Sequence, residues 1–175
     1  MIKTITTLLC LSTSFSLYAN QVCEADHIES TSPSTRYTDH ANGTITDNET
    51  GLMWQTCSIT SHQAKNLKQC DKPIEYTWGE ALNYISQHNA GEKIAGFTDW
   101  RLPNIRELAT LAELQCFRPA INLSAFPETP PSHYWSSSPY KFYPHYSWYV
   151  NFEDGVYNYS DRTDKKHIRL VRSNN

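Results

Sequence analysis

The fifteen residues from Phe97 to Leu111, Phe-Thr-Asp-Trp-Arg-Leu-Pro-Asn-Ile-Arg-Glu-Leu-Ala-Thr-Leu, constrain this chain more than any other stretch. Trp100 and Leu102 read as a short buried segment, and Pro103 stops it. Asn104 then stands where a helix needs a cap: its side chain can accept from free N–H groups of the first turn while Glu107 reaches back to the Asn104 N–H. Ile105, Leu108, Ala109, Leu111 and Ala112 recur at helical spacing, which predicts a helix from 105 to about 115 seated on the core. Pro119 bars its extension.

Residues 1–19 read as a signal peptide outside the fold. Lys3 gives a positive start, Ile5 to Leu17 is apolar but too short to span a bilayer, and Leu17-Tyr18-Ala19 suits cleavage. Cys10 lies in that stretch without the small residue just before it that lipid attachment wants, which favours ordinary export over a lipoprotein. Nothing after Ala19 is apolar enough to stop transfer, so no membrane span is expected after cleavage. The whole chain has 15 Lys and Arg against 18 Asp and Glu. That acidic balance argues against nucleic acid as a partner, because phosphate binding needs a broad positive surface.

Four cysteines remain after residue 19: Cys23, Cys57, Cys70 and Cys116. An even count in an exported chain reads as two disulfides, with three pairings available. We expect Cys57–Cys70, closing a short polar excursion, and Cys23–Cys116, tying the N-terminal segment to the end of the second helix.

Residues 20–36 are polar, with Ser, Thr and Pro at 30–35, and read as an N-terminal arm; residues 37–175 read as a single domain. Gly43–Asp47 and Leu52–Gln55 flank the turn at 48–51 as a β-hairpin. Residues 58–73 form the loop between the first two bridged cysteines. Thr77-Trp-Gly-Glu80 is a second capping box, opening a helix with Trp78, Ala81, Leu82 and Ile85 on one face and ending at Asn89–Gly91. Further on, residues 134–138 form a strand, 148–152 and 156–160 a hairpin about Gly155, and 167–172 a last alternating strand. Hairpin, two helices, then antiparallel strands is an α+β order.

Several motifs recur in a fixed order: Thr46-Asp47, Thr50-Gly-Leu-Met-Trp54, Trp78 with Ala81, Trp100-Arg-Leu-Pro103 with Glu107-Leu108, Tyr134-Trp-Ser-Ser137, Trp148-x-Val-x-Phe152, Gly155 and Arg169-Leu-Val-Arg172. The pattern, from about Thr35 to Arg172, resembles the Lcl C-terminal domain family, named after a collagen-like bacterial surface adhesin. The resemblance implies a C-type-lectin-like fold with its chain ends brought together, and binding to sulfated glycosaminoglycans at cell surfaces without catalysis. This sequence has no collagen-like run and is acidic, so what carries over is sugar or surface binding in general.

The segment from Tyr134 to Tyr159 holds eleven Tyr, Trp or Phe in 26 residues. Residues 139–147, with two prolines and no periodicity, read as a loop whose tyrosines suit a binding surface, since such rings pair an apolar body with a polar tip. Trp148, Val150 and Phe152 share one strand face, and Trp54, Trp78, Trp135 and Trp148 are all expected inside. The candidate ligand-binding residues are Tyr140, Tyr143, His145, Tyr146, Tyr149, Tyr157 and Tyr159, with Arg162, Lys165 and Lys166 of the neighbouring loop as cations for sulfate or carboxylate. Trp100, Arg101 and Glu107 are expected to be structural, as are Arg169 and Arg172.

No cofactor and no required metal are expected. The calcium-site loop and strand motifs of sugar-binding C-type lectins are missing, and Asp47-Asn-Glu49 and Glu153-Asp154 supply too few converging oxygens. A zinc site from Cys57, His62 and Cys70 conflicts with an oxidising compartment. His-Glu-x-x-His and Gly-x-Ser-x-Gly do not occur. The sequence therefore reads as a secreted or periplasmic, non-enzymatic recognition or adhesion module for a glycan or cell-surface ligand. One alternative is a protein-interaction subunit of an envelope or pilus assembly. Another is a formylglycine-generating-enzyme-like cysteine enzyme. An oligomer is compatible with any of these.

Overall fold

The computed structural model describes residues 20–60, 70–91 and 93–173. The expected signal peptide, His62 and most of the loop between Cys57 and Cys70 lie outside the described residues. The elements run β1 (Val22–Cys23), β2 (Tyr37–Asp39), β3 (Thr44–Asp47), β4 (Leu52–Gln55), α1 (Trp78–Ala90), α2 (Ile105–Ala109), β5 (Cys116–Phe117), β6 (His133–Pro139), β7 (Tyr146–Asn151), β8 (Tyr157–Asp161) and β9 (Val171–Ser173). They form a ribbon β1-β5, a four-stranded sheet β2-β3-β4-β9 and a three-stranded sheet β6-β7-β8, all antiparallel. The class is α+β, with two disulfides, Cys23–Cys116 and Cys57–Cys70.

The segment from Lys166 to Arg172 threads the molecule, and every one of its residues is buried. It alternates, but between two cores rather than between core and water. Ile168 and Leu170 pack with Met53, Ala81, Ile85, Trp100, Leu102 and Trp135. Val171 packs with Ile45, Trp54, Leu108, Leu111, Tyr134, Val150 and Phe152. Only the end of this segment is a regular strand, because its partners change along its length. Lys166 exchanges backbone bonds with Tyr76, the His167 carbonyl accepts from Trp135, the Ile168 carbonyl from Ile59 and the Leu170 carbonyl from Gln55. The expected continuous strand over 167–172 is thus reduced to β9.

The stretch from Asp99 to Leu111 joins the two sheets. Asn89 at the end of α1 brackets Trp100, its amide nitrogen donating to the Trp100 carbonyl (2.7 Å) and its amide oxygen accepting from the Trp100 N–H (3.1 Å). Arg101 exchanges both backbone bonds with Val171. Its guanidinium meets Glu107 in a fork, at 2.7 and 2.8 Å. The Pro103 carbonyl accepts from Ser137, and the Ile105 N–H donates to the Ser138 hydroxyl. Trp100, Arg101 and Glu107 are accordingly structural.

Both predicted capping boxes form, at Thr77/Glu80 and Asn104/Glu107. The second helix is far shorter than its apolar spacing predicts. It ends at Ala109, where the Thr110 hydroxyl turns back to the Glu107 carbonyl and the Leu111 and Ala112 N–H groups bond three residues back, to Leu108 and Ala109. Leu111 and Ala112 still reach the core from this turn. On α1, Ala81 and Ile85 are buried and Trp78 is half-buried, but Leu82 is exposed on the flank.

The N-terminal arm is docked rather than free. Glu113, itself buried, receives the Ser30 hydroxyl (2.5 Å) and the backbone N–H groups of Thr31 (2.9 Å) and Ser32 (3.0 Å). Gln21 donates to the carbonyls of Pro119 and Ile121, and Cys23 is bridged to Cys116. Arg36 is buried and grips Asp47 through two bonds, at 2.7 and 2.5 Å. A short polar stretch without periodicity conceals such contacts, because each partner lies far away in sequence.

Candidate ligand-binding face

The β6-β7-β8 sheet has two faces of different character, set by strand alternation. Trp148 pairs with Tyr159 and Val150 with Tyr157 across β7 and β8, which puts these four on one face with Tyr146 and Tyr134. At the β6 end that face is core: Tyr134, Val150 and Phe152 are fully buried. Toward β8 the described residues leave it open to solvent, and the rings gather against one another.

Tyr140 stands at the centre of this gathering. Its ring stacks on Tyr159 at 3.8 Å and 15°, lies 5.8 Å and 24° from Tyr143, and meets Trp148 (5.3 Å) and Phe142 (5.7 Å) edge-on. Trp148 also touches the rings of Tyr157 and Tyr159, and Tyr146 those of Tyr143 and Tyr159. Seven rings therefore form one network, in which geometry beyond simple burial contributes roughly 0.5–1.5 kcal/mol per favourable pair. The network is open to solvent: Phe142 is 71% exposed, Tyr157 58% and Tyr143 55%. A hydrogen bond to the Tyr159 phenol, with some burial, holds the Tyr140 phenol above its ordinary pKa. The Tyr140 hydroxyl thus remains a neutral donor and acceptor through the physiological range.

The ring network rises from a loop shorter than expected, since Pro139 closes β6 and Tyr146 opens β7. Residues 140–145 are the loop, pinned by the Tyr140 N–H to the Tyr146 carbonyl and by the Arg162 N–H to the His145 carbonyl. Beside the network, α2 lies against β6 and β7. A cleft of about 280 Å³ opens there between Ile105, Arg106 and Ala109 on the helix and Trp148 and Tyr157 on the sheet.

The opposite face of the sheet holds residues predicted as ligand contacts that turn inward instead. Tyr149 packs edge-on against Trp135 (6.4 Å) and His133 (4.8 Å). Lys166 is 5% exposed, its ammonium 4.4 Å from the Tyr149 ring centre, 4.8 Å from that of Trp135 and 3.9 Å from the Asp164 carboxylate. Burial pushes its pKa down, with Asp164 and Glu75 opposing. Arg162 lies over the Trp78 ring at 4.1 Å and donates to the Ser147 hydroxyl at 2.8 Å. The loop was expected to present cations to a ligand; cation–π contact and burial take two of them into the fold. Lys165 and His145 are exposed.

The structure brings Tyr140, Tyr143, Tyr146, Tyr157 and Tyr159 together and separates Tyr149, Arg162 and Lys166 from them. It adds Phe142, Trp148 and Arg106. The face that Trp148 shares with Val150 and Phe152 predicts an interior position; the core stops at Val150, and Trp148 is half-buried beyond it. The signal for this was available in Tyr157 and Tyr159, which have the same parity on the facing strand. Arg106 has no comparable signal, being a single charge on the polar side of a helix.

Among the described residues no group of three or more His, Cys, Asp or Glu is placed to hold a metal ion. All four cysteines after residue 19 are bridged, so none is a thiol. No described helix is long and apolar enough to cross a membrane.

The profile of the Lcl C-terminal domain matches residues 43–172, about three-quarters of the chain. This chain belongs to the Lcl C-terminal domain family. No curated protein matches it. Within this Lcl C-terminal domain, the recurrent motifs have structural work: Asp47 holds Arg36, Trp100-Arg-Leu-Pro103 joins the sheets, and Arg169 lies fully buried between them. Arg169 donates to the carbonyls of Gln55 and Thr56 and to the hydroxyls of Ser58 and Thr129, and sits over the Phe126 ring at 4.8 Å. Six of the seven rings lie outside these motifs, on residues 140–146, 157 and 159, and Trp148 alone belongs to one.

Proposed function

We propose that this domain is an exported, non-enzymatic recognition module with a C-type-lectin-like arrangement, which binds a glycan through the ring network of Tyr140, Phe142, Tyr143, Tyr146, Trp148, Tyr157 and Tyr159. One observation carries the reading: seven aromatic rings form a connected surface with three of them more than half exposed. Leaving such rings in water forgoes hydrophobic stabilisation of about 25 cal/mol per Å², so an uncovered cluster of this kind marks an interaction site. Sugar rings offer flat C–H faces to the aromatics and hydroxyls to the phenols, which matches rings carrying polar tips. The two disulfides suit an oxidising compartment, which supports export.

A glycan array that includes glycosaminoglycan-like polymers tests this, using the protein without residues 1–19 and its Tyr143→Ala and Tyr157→Ala variants. Saccharide binding weakened by either exposed-ring variant supports the reading. Flat signals across the array, with capture of an envelope protein that free sugar does not compete, would replace it with a protein-docking role for the same face.

A further inference from the structure

Arg106 is the feature of this face that neither the fold nor the ring network uses. It is exposed, and among the described residues it makes no ion pair and no side-chain hydrogen bond. Of the cations nearby, Arg101 is committed to Glu107, Arg162 to Ser147 and Trp78, Lys141 lies by the Phe142 ring, and Lys166 is buried. In a chain with three more acidic than basic residues, one unpaired guanidinium on the wall of an aromatic cleft is a charge without a partner.

The cleft gives that charge a context. Ile105 and Ala109 make an apolar floor, Trp148 and Tyr157 an aromatic wall, and Arg106 lines one side. Its volume of about 280 Å³ lies just below the range of roughly 300–1,000 Å³ usual for sites that enclose a drug-sized ligand. It therefore holds one ring-sized unit, not a long stretch of polymer. Trp148 and Tyr157 belong to the ring network too, so a chain continuing from that unit runs onto Tyr159, Tyr140 and Tyr143.

We infer that the cleft between α2 and the β7-β8 hairpin is a subsite for a single carboxylate-bearing sugar, a uronic acid unit at the end of a saccharide, whose carboxylate Arg106 holds in a bidentate fork. The proposal rests on the glycan-binding reading of the ring network and sharpens it to one position and one charge. A planar guanidinium matches the two oxygens of a carboxylate, and the match has a fixed direction that an ammonium lacks. The apolar floor and aromatic wall meet the C–H face of the sugar, and Arg106, the one cation among the described residues that line the cleft, limits recognition there to one negative group. An isolated acidic peptide side chain would satisfy Arg106 but leave the aromatic wall unfilled.

The test is a calorimetric or NMR titration with three matched oligosaccharides: one ending in a uronic acid, its neutral counterpart, and one bearing a sulfate ester at that end. The expected result is that the uronic acid form binds more tightly than the neutral form by about ten- to a hundredfold, the range for a hydrogen-bonded charged group. Arg106→Gln should abolish that difference, bringing the uronic acid form down to the affinity of the neutral sugar for the same variant. Arg106→Lys should restore only part of it, because the charge returns without the fork. Since Arg106 makes no ion pair and no side-chain hydrogen bond among the described residues, both variants should unfold at the wild-type temperature. Tyr143→Ala, remote from the cleft, should weaken all three sugars alike. Equal affinity for neutral and carboxylated sugars, an equal or greater preference for sulfate, or competition by polyglutamate as strong as by the uronic acid would each overturn the subsite while saccharide binding stood. No binding of any of the three would remove the glycan reading itself.

Discussion

Asp47 and Arg36 form an ion pair with both side chains buried, 0% and 4% exposed. Two charges taken out of water stabilise a fold only when every lone pair is met, and here Arg36, the Thr50 hydroxyl (2.6 Å) and the Glu49 N–H (3.1 Å) meet the carboxylate. Removing one partner strands the other. Asp47→Ala should therefore cost about 3–5 kcal/mol, read as a lower urea midpoint at unchanged slope. The pair also sets a pH dependence. Burial alone would raise the Asp47 pKa, but Arg36 and Thr50 outweigh it and hold the carboxyl below its ordinary value. Glu113 is held low in the same way, burial being outweighed by the Ser30 hydroxyl and the arm's N–H groups. A carboxyl with a lower pKa folded than unfolded contributes its stability above the unfolded value, about 4, and loses it as pH falls through the folded value. The wild type should lose stability steeply below pH 4, and Asp47→Ala less steeply; parallel acid limbs would show that the pair is not responsible. In the sequence Asp47 reads as a strand end and an oxygen donor with no sign of its partner, because Arg36 sits eleven residues away in a polar stretch with no periodicity to betray it.

The elements themselves were more legible than their lengths. Both helix starts follow from capping boxes, which are local chemistry at fixed spacing, and the two hairpins follow from turn residues between apolar runs. The end of α2 does not, since Leu111 and Ala112 keep helical spacing while the chain has already turned to bring Glu113 to the arm and Cys116 to Cys23. Tertiary bonds decide that boundary, and no neighbour in sequence reports them. The candidate site divides along the same line: the aromatic loop is visible as composition, while Trp148, Arg106 and the inward turn of Lys166 depend on which face the core happens to stop on. A helix of five residues has few internal bonds, so its cap carries much of it. Asn104→Ala should cost about 1 kcal/mol, within the usual 0.5–2, and Thr77→Ala a similar amount at the head of the thirteen-residue α1. The two should differ in where the damage appears. In Asn104→Ala, amide exchange at Leu108 and Thr110 should speed up beyond the global change, because α2 opens locally; in Thr77→Ala, exchange should change only in the first turn of α1. Uniform loss of protection in Asn104→Ala would mean that packing against β6 and β7, and not the cap, holds the short helix.

On the scale of the whole molecule, the two disulfides act on very different lengths of chain. Cys57–Cys70 spans 13 residues, and Cys23–Cys116 spans 93. If a bridge stabilises chiefly by limiting the unfolded chain, the short one contributes about 3 kcal/mol and the long one nearly 5. The long bridge has company, however. Glu113 with Ser30, Thr31 and Ser32, Gln21 with Pro119 and Ile121, and Arg36 with Asp47 all tie the same N-terminal segment to the body. These bonds keep the arm in place in the folded protein whether or not the bridge is present, so the bridge's effect falls on the unfolded state. Replacing Cys23 and Cys116 by Ser should therefore lower the unfolding midpoint more than replacing Cys57 and Cys70, yet leave the native arm docked. Thermal and urea unfolding of the two double variants measures the first part, and amide protection of Thr31 and Ser32 in native buffer measures the second. A larger loss from the short bridge would show that local strain relief or residual unfolded structure outweighs loop entropy here. Lost protection at Thr31 and Ser32 would show that the covalent tie, and not the Glu113 carboxylate, holds the arm against the fold.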